Sequence, residues 1–120
     1  MENLREHGVM YGTSVTATRE NADLLLSPEM VEFWMDKQGA AYTWMFQYMP
    51  IGRGISLDLL VTPEQRLRLY ERSRELIHKE RRFIVDFWNN GPLTRGCISA
   101  GRDFGYFYID WNGNIAPCVF

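Results

Sequence analysis

Cysteine is scarce in this chain of 120 residues: there are two, Cys97 and Cys118. So few cannot build the framework of a disulfide-stapled secreted domain. Histidine is as rare, and His7 and His78 stand apart, not at the spacing of metal ligands. No apolar run approaches the ~18 residues of a membrane span. Met1-Glu2-Asn3-Leu4-Arg5-Glu6 lacks the apolar segment that a signal peptide needs. Neither sign of charge prevails. The net charge of −2 argues against nucleic acid as the main partner. Internal repeats and low-complexity segments are also missing.

What is present is globular material. Apolar residues make up 46% of the chain and charged residues 23%, enough for a small domain with a core and too apolar for disorder. Aromatic residues reach 14%, with four Trp, which reads first as a thick α/β core. Two thiols without a secretory signal point to a reducing, cytoplasmic compartment and favour thiolates over a disulfide.

Strand and helix signals alternate along the chain. Leu4 to His7 ends a helix at Gly8. Val9 to Thr18 alternates as a strand, with a larger face (Val9, Tyr11, Thr13, Val15, Ala17) and a small, hydroxylic one that includes Ser14 and Thr16. In a barrel-like protein the larger face meets helices and the smaller one lines the interior. Ser27-Pro28-Glu29 opens a helix in which Met30, Val31, Phe33 and Trp34 supply the buried face and Gly39 the stop. Tyr42 to Met49 alternates again and runs into Pro50-Ile51-Gly52-Arg53-Gly54. That loop falls where α/β sheets bind ligands, but it is not a P-loop, because no Gly-Lys-Ser/Thr follows.

Thr62-Pro63-Glu64-Gln65 is a capping box that starts a helix to about Lys79. Its apolar stripe reads as Leu67, Tyr70, Arg74 and Ile77, with Leu69 and Leu76 beside it. Its arginines alternate with glutamates and read as a solvated outer face. Phe83 to Trp88 is a short apolar strand with Asp86 inside it, broken by Asn89-Asn90-Gly91-Pro92. A carboxylate in such a strand must find a partner or a cavity. Asp86 is therefore the candidate for acid–base or substrate-binding work, the alternative being a carboxylate bonded to turn amides. Strands alternating with helices imply parallel pairing.

The last quarter carries both cysteines. Gly96-Cys97-Ile98-Ser99-Ala100-Gly101 precedes the aromatic strand Phe104-Gly105-Tyr106-Phe107-Tyr108-Ile109, the turn Asp110-Trp111-Asn112-Gly113, and Asn114-Ile115-Ala116-Pro117-Cys118. Asn112-Gly113 between apolar runs is a hairpin signal, because both residues tolerate positive φ. The hairpin folds its flanks together, so Cys97 and Cys118 are expected within reach of one site. Two such thiols can pair, bind metal or a cluster, or sit inert in a core. Small residues around Cys97 allow close backbone approach to an inorganic group.

Gly-Cys, an aromatic strand, an Xaa-Gly turn and Pro-Cys resemble the start of the SPASM or twitch auxiliary domain of radical SAM enzymes. The family pattern is Cys, a gap of roughly nine to fifteen residues, Gly, four residues, Cys. Here fifteen residues separate Cys97 from Gly113 and four separate Gly113 from Cys118. Upstream, Gly12 to Thr18 with Asn21, Phe46 to Arg53, and Asp86 to Gly91 resemble family segments too.

The resemblance implies the carboxyl-terminal portion of a partial (β/α)6 TIM-like barrel over residues 1–92 and the start of the auxiliary cluster domain over 93–120. Its first two strands would be the fifth and sixth of the barrel, with Ser14, Thr16, Gln47, Met49 and Ile51 on the side of S-adenosyl-L-methionine. Cys97 and Cys118 would ligate an auxiliary [4Fe–4S] cluster. In that family a first cluster cleaves S-adenosyl-L-methionine to a 5′-deoxyadenosyl radical, and the substrate is often a peptide or protein. The Cys-x-x-x-Cys-x-x-Cys that holds the first cluster is absent, as are the later auxiliary cysteines. The chain thus reads as a segment whose partners would be the missing barrel half and the remainder of the auxiliary domain. The competing reading is a small non-catalytic α/β module with structural or zinc-bound cysteines, acting through a partner.

Overall fold

A computed structural model describes residues 1–87 and 105–118 of the chain. It divides into two compact units, Met1–Asn89 and Asn90–Phe120. The chain is mixed α/β, with one three-stranded parallel sheet and one two-stranded antiparallel sheet.

In the first unit, α1 spans Glu2–Glu6 and is followed by Gly8 at φ 66, as the Gly stop predicts. β1 covers Gly12–Ala17, shorter at both ends than the predicted Val9–Thr18. The N-terminal trim has a cause: the Val9 N–H is taken by the Leu4 carbonyl, as part of the exit from α1. At the other end Asn21 takes over. Its Oδ1 accepts from the Thr18 N–H and its Nδ2 donates to the Thr16 carbonyl, turning the chain into α2, Ala22–Leu25.

Ser27 caps α3, Pro28–Val31, by accepting from the Met30 N–H. The helix then widens into a π-helical segment, Glu32–Lys37, whose Phe33 and Trp34 carbonyls accept from the N–H groups of Gln38 and Ala40. Gly39, at φ 80, ends it. The buried residues are Val31 and Met35, while Phe33 is exposed, against the expectation that Phe33 would face inward. The wider turn and the Phe33–Trp34 edge-to-face pair, centroids 4.9 Å apart, accompany that outward placement.

β2 is Tyr42–Gln47 and leaves the ladder before Met49. A 3-10 turn at Leu57–Leu59 leads to α4, Pro63–His78. The capping box closes as predicted. The Gln65 N–H donates to Thr62 Oγ1, and the Thr62 N–H donates to Gln65 Oε1. The buried stripe of α4 is Gln65, Leu69, Ser73 and Leu76: Leu69 and Leu76 are buried as expected, Tyr70 and Ile77 are half-buried, and Leu67 and Arg74 are exposed. Two polar residues sit in the stripe because their bonds are met. Gln65 Nε2 donates to the Arg19 carbonyl and to Asp23, and Ser73 Oγ donates to the Tyr70 carbonyl. β3 is confined to Ile84–Asp86.

The order β1-β2-β3 is parallel throughout and in register, with Thr13 opposite Thr43, Val15 opposite Met45, Thr43 opposite Ile84 and Met45 opposite Asp86. Residues in one row share a face, so Ala17, Met45 and Ile84 lie on the same side. They form one cluster with Ala22, Leu26, Val31 and Met35 from the first crossover and Leu69 and Leu76 from the second. Both crossovers therefore cover a single face of the sheet.

The other face carries Gly12, Ser14, Thr16, Tyr42, Trp44, Phe46, Val85 and Phe87. Trp44 is 37% exposed there. The rings of Trp44, Phe46 and Phe87 lie within 6.2 Å of one another, centroid to centroid. A Cβ at Gly12 would collide with the Tyr42 ring, which is why a glycine stands in this row.

In the second unit, β4 (Tyr108–Ile109) pairs antiparallel with β5 (Ile115–Ala116). The hairpin is present, and its turn runs over the expected Asp110 to Gly113. Only Gly113 takes positive φ, at 84. The Gly113 N–H donates to the Asp110 carbonyl and the Asp110 N–H to the Asn114 carbonyl, closing a three-residue loop with a Gly bulge in place of a two-residue turn. Asp110 Oδ1 stabilises it by accepting from the N–H groups of Asn112 and Asn114.

Two measurements test this architecture. In urea melts, Leu76→Ala, which empties a fully buried site, should cost about 3 kcal/mol. Thr62→Ala, which opens the capping box, should cost about 1 kcal/mol; equal losses would contradict the one-sided core. Size-exclusion chromatography should show self-association of the 120-residue chain, since β1 is an edge strand of the described sheet and Trp44 is exposed. Trp44→Ser with Phe46→Ser should shift it toward monomer.

Candidate functional site

Three features converge on the carboxyl ends of the parallel strands. At the end of β1, Asn21 ties the backbone of Thr16 and Thr18. After β2, Tyr48 Oη accepts from the Ser56 N–H and so spans the base of the Gly-rich loop. At the end of β3, Asp86 lies beside Gln47 of β2, with Gln47 Nε2 donating to Asp86 Oδ1 at 3.5 Å.

Asp86 and Gln47 are both buried, at 1% and 6% exposure, on the helix-covered face. The expectation that Asp86 would need a partner is met in part by Gln47. The bond is long for one to a carboxylate, where about 2.8 Å is usual. Gln47 Oε1 is buried and accepts nothing. A buried acceptor left unmet is costly, so this pair is an uneven polar insertion in a layer that also buries Thr43, Gln65 and Ser73.

The other sequence candidates fall elsewhere. Ser14 and Thr16 are exposed on the uncovered face, opposite Trp44 and Phe46 in register. Met49 is half-buried just past β2, and Ile51 is exposed in the loop, with its N–H donating to the Met49 carbonyl. The structure thus brings Ser14 and Thr16 together on one face and Gln47 and Asp86 together on the other. The uncovered face joins hydroxyls with Trp44, Phe46 and Phe87, and these rings were the part of the site that alternation alone did not single out. Their signal in the sequence was the period-two aromatic run Tyr42, Trp44, Phe46.

In the second unit, Cys118 is a free, half-buried thiol whose Sγ shares a hydrogen bond with Tyr106 Oη at 3.2 Å. Cys97 lies outside the described residues, as do Gly96, Ser99, Ala100 and Gly101 around it. Among the described residues no group of three or more His, Cys, Asp or Glu is gathered for a metal. One thiol cannot hold a cubane cluster, but Cys118 suits a single ligand position, since a hydrogen bond to a ligating sulfur is a usual way of tuning such a site. No helix among the described residues is long and apolar enough to cross a membrane.

The carboxyl of Asp110 is held below the usual carboxylate range, first by the Asn114 side-chain amide and then by backbone N–H groups of the turn. Asp23 is likewise held down, first by the Arg68 guanidinium and then by Gln65. With these geometries in place, comparison with known proteins adds nothing further: no family model, no curated protein and no solved structure matches the chain.

Two predictions arise here. A folded value below the ordinary 3.8 means that Asp110 supports the turn at pH above 3.8 and ceases to as pH falls through the folded value. NMR titration should therefore show the Asn112 and Asn114 amide signals moving only below that pH, and Asp110→Asn should abolish the transition. For the buried pair, Gln47→Met removes one long bond and one unmet acceptor and should cost less than about 1 kcal/mol in urea melts. Asp86→Ala should cost at least about 2 kcal/mol by the same measurement.

Proposed function

We propose that this chain supplies the carboxyl-terminal strands of a radical SAM barrel and the opening hairpin of its auxiliary iron–sulfur domain. The observation that carries the reading is the one-sided winding of the sheet. Three parallel strands follow one another in order with both helical crossovers on one face. An open doubly wound sheet would reverse its strand order and cover both faces; a barrel keeps one face inward. The inward face would then be the one bearing Ser14, Thr16, Trp44, Phe46 and Phe87.

The hydroxyls of Ser14 and Thr16 offer hydrogen bonds to the amino-acid and ribose parts of S-adenosyl-L-methionine. Met49 and Ile51 edge the same region from the loop after β2. Gln47 and Asp86 lie behind the sheet and fix the ends of β2 and β3, so their part is to position rather than to touch the cofactor. Trp44, Phe46 and Phe87 exclude water from the inner face. Cys118, with Cys97, would hold the auxiliary [4Fe–4S] cluster. When bound, S-adenosyl-L-methionine and the reduced first cluster supply the radical chemistry, which the protein positions and shields. The remaining barrel strands and the rest of the auxiliary domain complete the enzyme, and its substrate is a peptide or protein.

The test is direct. Coding DNA that continues in frame should encode Cys-x-x-x-Cys-x-x-Cys upstream of Met1; a frame that opens at Met1 and closes after Phe120 favours the non-catalytic module. The 120-residue chain supplied with iron, sulfide and reductant should release no 5′-deoxyadenosine from S-adenosyl-L-methionine. In the longer enzyme, Cys118→Ser should lower bound iron by up to one cubane's worth while the first cluster remains. Unchanged iron in that variant would remove Cys118 from the ligand set.

A further inference from the structure

We draw no further inference here: the strongest candidate, the uncovered aromatic face of the parallel sheet around Trp44, Phe46 and Phe87, is an apolar surface on which nothing in the structure shows what binds beyond the site already described.

Discussion

The fold of the first unit rests on the in-register pairing of three parallel strands. Register decides everything above it, because a shift of one residue would turn every side chain to the other face. As paired, Ala17, Met45 and Ile84 meet the helices, and among the described residues no helix packs on the aromatic residues of β2. The connections then have no freedom of side. Each must lay its apolar residues on the same layer, and a single core results. Polar groups that enter this layer do so with partners, as Gln65, Ser73 and the Gln47–Asp86 pair show.

Much of this was legible from local chemistry. The capping box at Thr62, the cap at Ser27 and the stops at Gly8 and Gly39 each depend on a few neighbouring residues, and each stands where the sequence puts it. Parallel pairing was likewise readable from the alternation of strand and helix signals. The misread parts depend on distant residues. Nothing near Gln65 announces that Arg19 and Asp23 will satisfy it and draw it inward. The hairpin at Asn112-Gly113, by contrast, is local: Asp110 accepts from two amides of its own turn, and the turn stands where the sequence puts it.

The candidate site was legible in its residue types and not in its grouping. Alternation placed Ser14 and Thr16 on one face of β1 correctly. It could not relate them to β2, because the relation is set by register between strands. That register puts Gln47 with Asp86 behind the sheet and Trp44 and Phe46 beside the hydroxyls. A burial pattern that alternates within β2, with Thr43, Met45 and Gln47 hidden, is the physical record of that arrangement.

The π-helical segment at Glu32–Lys37 has a consequence for chain length. Such a turn holds one residue more than an α-helix would need to join the same two ends. Deleting a single codon there would let the segment tighten to α but would turn the residues on one side of the deletion about the axis, with buried Met35 inside the segment. The cost would fall on the core through Met35 and on the surface through Asp36, which holds Arg82 by two bonds of 2.6 and 2.8 Å and so ties this segment to the approach of β3.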